Sequence, residues 1–383
     1  MIYKMADDVA LQPISPSTKK WIVVSALIGY VVLIFFLFFF IDIGELLSVL
    51  ASVKLEIYSL ALICVGVSIT FHALVWFQLL NSVSIKLGFR RTYVLYWVGV
   101  FVDNLIPGGW SGDLFKAYLL SRDPELDSGR AVASVVAKNV YEAIFNLGSM
   151  ILGLTILLLT YDLPDNGILL LIAGIMVLLT LPLVVLLAVS FKPKGAKKFM
   201  PFLIRLLSRV NGKSWDLTNL QTTMEKTVDN YHEGMQLLLE NPRMLFKPMI
   251  LSFFAWGFEV VALLLVFASL GQTVPVDKVI IVRAIAGNVE SQGYAFAGYA
   301  QVITIAIYGA LQVPLYLSAS VALLGGLVVF WLKTVISYAA FHCTVFSPCS
   351  NFVCRAIGVG GVAGNRSCKE EQKNKVNNSE KNG

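Results

Sequence analysis

The stretch Pro107-Gly108-Gly109-Trp110-Ser111-Gly112-Asp113 interrupts an apolar segment that otherwise runs from Thr92 to Leu120. A second interruption, Gly293-Tyr294-Ala295-Phe296-Ala297-Gly298-Tyr299-Ala300-Gln301, falls at a comparable place in the other half, inside Val279–Leu311. Proline lacks the amide that a helix interior needs, and clustered glycines cost helix entropy and admit turns. The flanking pieces are short. As helices, Thr92–Ile106 would rise roughly 22 Å and Asp113–Leu120 about 12 Å, against ~30 Å of hydrocarbon. A hairpin that enters and leaves on one side fits those lengths. Non-helical backbone at that depth has to line protein or a wet cavity, because lipid cannot pair its N–H and C=O groups. Paired interrupted helices commonly mark a transporter's substrate site.

The rest of the composition agrees with a membrane setting. Of 383 residues, 57% are hydrophobic and 14% charged, where a soluble chain carries about 25% charged residues. Trp21–Ile41 is uninterrupted, too long for a signal-peptide core and followed by no small-residue cleavage site, so it reads as a retained first span. Five more follow at Ile57–Leu80, Val132–Tyr161, Ile168–Phe191, Met249–Leu270 and Leu317–Phe341. The expected fold is an all-α, polytopic helical membrane protein with about six spans and two re-entrant half-helix hairpins, 92–120 and 279–311, compatible with an inverted repeat.

Loop charges orient these spans. Ten of the 30 basic residues fall between Lys192 and Lys247 and six in the tail after Phe341. With the N-terminus (1–20) inside, Lys4, Lys19, Lys20, Lys86, Arg90, Arg91, the insert 192–248 and the tail 342–383 are all cytoplasmic. The outside loops then hold only Lys54 and Lys278. This requires each broken segment to return to its starting side, the first from the cytoplasm and the second from outside. Two full crossings per broken segment would give the same sidedness. The domains are thus a first transmembrane half (21–191), a basic amphipathic insert, a second half (249–341) and a partly disordered tail. Within the insert, Lys197–Val210 reads as an interfacial helix and Trp215–Glu240 as an amphipathic helix.

The basic excess is therefore a matter of topology and not of nucleic-acid binding. The five cysteines show neither zinc-knuckle spacing nor a disulfide framework. No phosphate loop, zinc-protease helix or nucleophile elbow is present. No catalytic residue, metal ligand or cofactor is assigned.

Ionisable groups inside spans are expensive and are candidate functional groups by default. Asp103 precedes the first break, and Asp113 and Lys116 follow it. Lys138 and Glu142 share a helix face. Glu259 sits centrally in its span with no base on its own helix, so Arg283 is a candidate partner. Glu290 lies two turns beyond Arg283 on the same face; Lys333 and His72 complete the set. Gly108, Gly109 and Gly112 permit close backbone approach, and the half-helix after them offers N–H groups and a positive dipole end. With Lys116 one turn on, this suits a phosphate-bearing headgroup. Asp113 opposes it unless it caps the helix or pairs with a cation such as Lys138.

Asn104 to Arg122, containing Pro107-Gly108-Gly109-Trp110-Ser111-Gly112-Asp113 and Lys116-Ala117-Tyr118-Leu119, resembles the P-G-G-x-G-G-D-x-x-R-A-x-x-L motif of the flippase-like family known as the lysylphosphatidylglycerol synthase transmembrane region. Arg130–Val136 looks like its continuation. Ala300-Gln301 and Leu311-Gln312-Val313-Pro314 resemble its weaker second motif. The resemblance covers roughly Trp21 to Phe341. Lys116 stands where the family has Arg, which keeps charge but not bidentate geometry. Gln301 stands where it has Glu, with Gly298 retained before it. The family is associated with moving lipids between leaflets, and longer members add an aminoacyl transferase domain absent from this sequence, so the resemblance implies translocation and not synthesis.

The resulting expectation is the flipping of a charged-headgroup lipid or lipid-linked molecule in a prokaryotic plasma membrane. The candidate binding residues are Pro107, Gly108, Gly109, Gly112, Asp113, Lys116, Lys138, Glu142, Glu259, Arg283, Glu290, Gly298 and Gln301. The expected partner is the lipid itself, with a homo-oligomer or a lipid-modifying enzyme as possible company. Two other classes stay open: a membrane-embedded transferase using Asp113 or Glu259 as acid or base, and a partner subunit docking through helix 215–240.

Overall fold

The computed structural model describes residues 31, 33–83, 85–105, 111–121, 128–161, 181, 243–291 and 298–345. The two turns (106–110 and 292–297), nearly all of the expected span Ile168–Phe191, the insert up to residue 242 and the tail from 346 lie outside the described residues. So, therefore, do Pro107, Gly108 and Gly109, both expected insert helices and the Glu290 side chain. Every regular element described is helical.

Helices α1 (Leu33–Phe40) and α2 (Ile43–Ala51) meet at 104°. Asp42 stops the first and caps the second, its carboxylate accepting from the Glu45 amide at 3.1 Å. Next come α3 (Leu55–Ser82), α4 (Phe89–Leu105), α5 (Ser111–Ser121) and α6 (Ser128–Thr160). The second half holds α7 (Arg243–Ser269), α8 (Val276–Ser291), α9 (Tyr299–Ala310), α10 (Leu315–Ala322) and α11 (Val329–Val345). A π-helical stretch, Leu323–Val328, joins α10 to α11.

Two expected boundaries move. α7 begins at Arg243, ahead of the expected Met249, and carries Pro248 inside it. The expected rod Leu317–Phe341 contains the π stretch, and its two glycines explain why. A Cβ on Gly325 would lie 3.0 Å from Leu263 Cδ2, and one on Gly326 would lie 3.0 Å from Gln301 Nε2. The widened turn lets α7 and α9 come close. The Tyr58 hydroxyl donates to the Leu324 carbonyl there at 2.9 Å.

Among the described residues, four helical stretches are long and apolar enough to cross a membrane: Leu55–Ser82, Ala137–Thr160, Phe246–Ser269 and Leu315–Thr344. The elements flanking the turns are not. α4 and α5 have 17 and 11 residues, and α8 and α9 have 16 and 12. At 1.5 Å per residue these rise about 25, 16, 24 and 18 Å.

Each half therefore runs long helix, short pair, long helix, and the halves exchange partners. α3 packs along α7: the Lys54 amide donates to the Ser269 carbonyl at one end, and Phe71 stacks on Phe254 and Phe258 further along. α6 packs on α8, and α11 on α4. Both contacts are antiparallel. Tyr161 donates to Asp277, Gly153 faces Ala284, and Asn288 donates to the Asn146 carbonyl at 3.3 Å. In the counterpart, Asn104 donates to Thr334 at 2.9 Å while Phe101 meets Tyr338 and Phe341. α5 joins α6 near Lys138, whereas α8 joins it from Asn146 to Tyr161. The two short pairs thus attach toward opposite ends of α6.

Apolar cores form at these contacts. One gathers Phe267, Ile281, Ile285, Tyr308 and Leu157 around α8–α9. Another gathers Trp76, Leu80, Leu95, Val98 and Leu120 around α4–α5. A further one joins Leu33 and Leu46 to Ile305 and Ala319. Lipid is as apolar as a leucine side chain, so close packing through small residues such as Gly153 and Ala284 holds such helices together. Phe38, Phe39, Leu55, Phe246, Phe253 and Val335 face outward, as a hydrocarbon surround requires.

Candidate functional site

The first short pair is built around a glycine crossing. A Cβ on Gly112 would fall on the Gly99 carbonyl oxygen and within 2.7 Å of Asp103 Cγ. Only glycine lets α5 lie this close to α4. Asp103 Oδ1 accepts from the Gly112 amide at 2.7 Å and from the Ser111 hydroxyl at 3.0 Å. The start of α5, expected to offer an amide to an external phosphate, already holds an internal carboxylate.

Asp113, in the first turn of α5, bridges two lysines. Oδ1 pairs with Lys116 Nζ, and Oδ2 lies 3.3 Å from Lys138 Nζ. Lys138 also meets Glu142 Oε1 at 2.8 Å, the expected i,i+4 pair. Lys116 runs its stem across Gly99, where a Cβ would lie 2.7 Å from Lys116 Cδ. Its ammonium sits 4.8 Å from the Trp76 ring centroid and 5.0 Å from that of Tyr96. Asp113 and Lys116 are each 2% exposed. Buried ammonium and carboxylate groups need such partners, since desolvation is otherwise prohibitive. Asp113 and Glu142 match Lys116 and Lys138 in number, and the Asp103 carboxylate on the Gly112 amide adds a third acid beside them.

The second cluster centres on Glu259. Its Oε2 accepts from Arg283 Nε at 3.0 Å and Nη2 at 2.6 Å. Its Oε1 accepts from the Ser68 hydroxyl at 3.0 Å, with His72 Nε2 3.4 Å away. Three helices, α3, α7 and α8, thus meet on one carboxylate. A cleft opens here, with about 570 Å³ of space including its open mouth. Glu259, Arg283 and Lys333 supply its charge; Leu62, Val65 and Leu263 are among its apolar walls.

The structure brings the expected residues together in two groups. Gly112, Asp113, Lys116, Lys138 and Glu142 form the first; Glu259 and Arg283 form the second. None of the first group lines the cleft, so among the described residues the single chamber expected around both turns resolves into a sealed cluster and an open one. Gly298 has a conformational role: at φ 77° it takes the left-handed turn that starts α9. Gln301 is 4% exposed and lies against the π stretch. Sequence reasoning missed Ser68, Trp76, Tyr96 and Gly99, which carry no charge and no unusual spacing.

A sequence profile described as "Lysylphosphatidylglycerol synthase TM region" matches residues 22–337. This chain belongs to that family. It is 24% identical over 329 residues to a UPF0104 membrane protein of Pyrococcus horikoshii, covering 83% of this chain and 95% of that one. A UPF0104 membrane protein of Methanocaldococcus jannaschii is 25% identical, covering 79% and 88%, and one of Methanothermobacter thermautotrophicus is 23% identical, covering 76% and 84%. Family membership and the long apolar helices make this lysylphosphatidylglycerol synthase transmembrane-region protein a multi-pass membrane protein with a lipid-related role.

Proposed function

We propose that this protein translocates a charged-headgroup lipid between membrane leaflets. The observation that carries the reading is the cleft between α3, α7, α8 and the π–α11 segment. It sets Glu259, Arg283 and Lys333 against apolar walls inside membrane-length helices. A headgroup needs charged partners once it leaves water, and acyl chains need apolar surroundings; one open cleft supplies both. The short pairs α4–α5 and α8–α9 are then re-entrant hairpins of an inverted repeat, entering from opposite faces. Their lengths, their exchanged partners and their attachment toward opposite ends of α6 support this. The Asp113 cluster braces the first hairpin, while the Glu259–Arg283 pair opens to receive the headgroup.

The test is reconstitution of the full chain in liposomes carrying a fluorescent lipid, with leaflet exchange followed by dithionite quenching. Wild-type protein is expected to exceed protein-free vesicles, and Glu259→Gln to lose at least about tenfold, since it breaks a charge-assisted pair. Exchange no faster than in protein-free vesicles, across lipids of each headgroup charge, would refute translocation.

A further inference from the structure

We propose that Lys333 makes the cleft selective for lipids of net negative headgroup charge, a phosphate without a balancing amine, over zwitterionic or aminoacylated cationic ones. This deepens the translocation reading and rests on it. Three charged side chains line the cleft among the described residues: Glu259, Arg283 and Lys333. Glu259 is fully engaged, its two oxygens shared among Arg283, Ser68 and His72. Arg283 pairs with Glu259. Lys333 forms no ion pair among the described residues.

Lys333 does not sit at the helix end. It lies twelve residues before the end of α11 at Val345, about 18 Å along the axis. A lysine stem is far shorter than that and cannot snorkel its ammonium to that end. Gly325, Val329 and Lys333, at four-residue steps, place it on the cleft-lining face. An ammonium that lines the cleft without an ion pair among the described residues is completed by an anion from outside the chain. A phosphodiester that pairs with Lys333 would leave its acyl chains among the apolar cleft walls. A lysine-esterified headgroup would bring a second ammonium beside Lys333, which costs rather than gains affinity.

The experiment compares fluorescent phosphatidylglycerol, phosphatidylethanolamine and lysylphosphatidylglycerol in proteoliposomes of wild type, Lys333→Met and Lys333→Arg. Wild type is expected to move phosphatidylglycerol fastest. Lys333→Met should lose that preference by about 10- to 100-fold, the loss of one charge-assisted hydrogen bond, and Lys333→Arg should keep it. Equal rates for all three lipids in wild type, or an unchanged ratio in Lys333→Met, overturns the proposal. Binding of water-soluble dihexanoylphosphatidylglycerol, read by thermal shift in detergent, separates the two readings. If no lipid moves but wild type binds it at least tenfold more tightly than Lys333→Met, translocation fails and the anion site stands. If both bind alike, the anion site fails. Should Lys333→Met not fold, Lys333→Gln replaces it in both assays.

Discussion

Replacing Asp113 by Asn tests whether the first hairpin is held by the buried ion pairs of Asp113. The substitution keeps the shape of the side chain and removes its charge. Lys116 and Lys138 would then face an amide, with Glu142, partly exposed on α6, as their remaining carboxylate contact. Removing one partner of a buried ion pair costs about 3–5 kcal/mol. Lys116 keeps its two aromatic faces, each worth roughly 0.5–2 kcal/mol, which places the expected loss near the lower end, about 3 kcal/mol. At ~2–4 °C per kcal/mol, the midpoint should fall on the order of 10 °C. The assay is fluorescence-detected size exclusion of the detergent-solubilised full chain after graded heating. The double variant Asp113→Asn/Lys116→Met removes one charge of each sign and leaves Lys138 with Glu142. It should be more stable than the sum of the single changes by roughly 0.5–3 kcal/mol, the coupling expected of residues in contact. A midpoint for Asp113→Asn within a degree of wild type, or strict additivity in the double variant, would refute the ion-pair account.

Two further outcomes follow from the hairpin geometry. Gly112→Ala should reduce the yield of monodisperse protein and cost about 1–3 kcal/mol or more, since its Cβ meets the Gly99 backbone. Gly66→Ala and Gly148→Ala, where a Cβ meets nothing within 4 Å, should be neutral or mildly stabilising; equal damage at all three sites would count against the crossing. In a background cleared of native cysteines, Lys86→Cys should react with an impermeant maleimide only from the cytoplasmic face and Gln272→Cys only from the opposite face. Labelling of both from one side would defeat the proposed orientation.

Much of the architecture was readable along the chain. Apolar runs marked the long helices, because burial in lipid demands uninterrupted hydrocarbon over membrane thickness. Pro107 and the glycines around it marked a break, because they remove helix donors and invite turns. Lys138 and Glu142 were readable as a pair, because four residues bring side chains onto one helical face. The π stretch at Leu323–Val328 was not legible: Gly325 and Gly326 are tolerated in an ordinary membrane helix, and only the approach of Leu263 and Gln301 gives the wider turn a reason. The start of α7 at Arg243 was hidden because charged residues there resemble the loop before it.

The candidate site divides along the same line. Which residues were costly enough to need a purpose came from chemistry local to each span: a carboxylate or ammonium in hydrocarbon demands a partner wherever it sits. Lys138 for Asp113 and Arg283 for Glu259 were named as candidate partners, and the structure joins both pairs. Ser68, which reaches Glu259 across 191 positions, was found only by folding. Trp76 and Tyr96, silent in the sequence, close over Lys116. Local spacing encodes neighbours within a turn or two of helix; the packing of separate helices determines which charges are sealed and which face an open cleft.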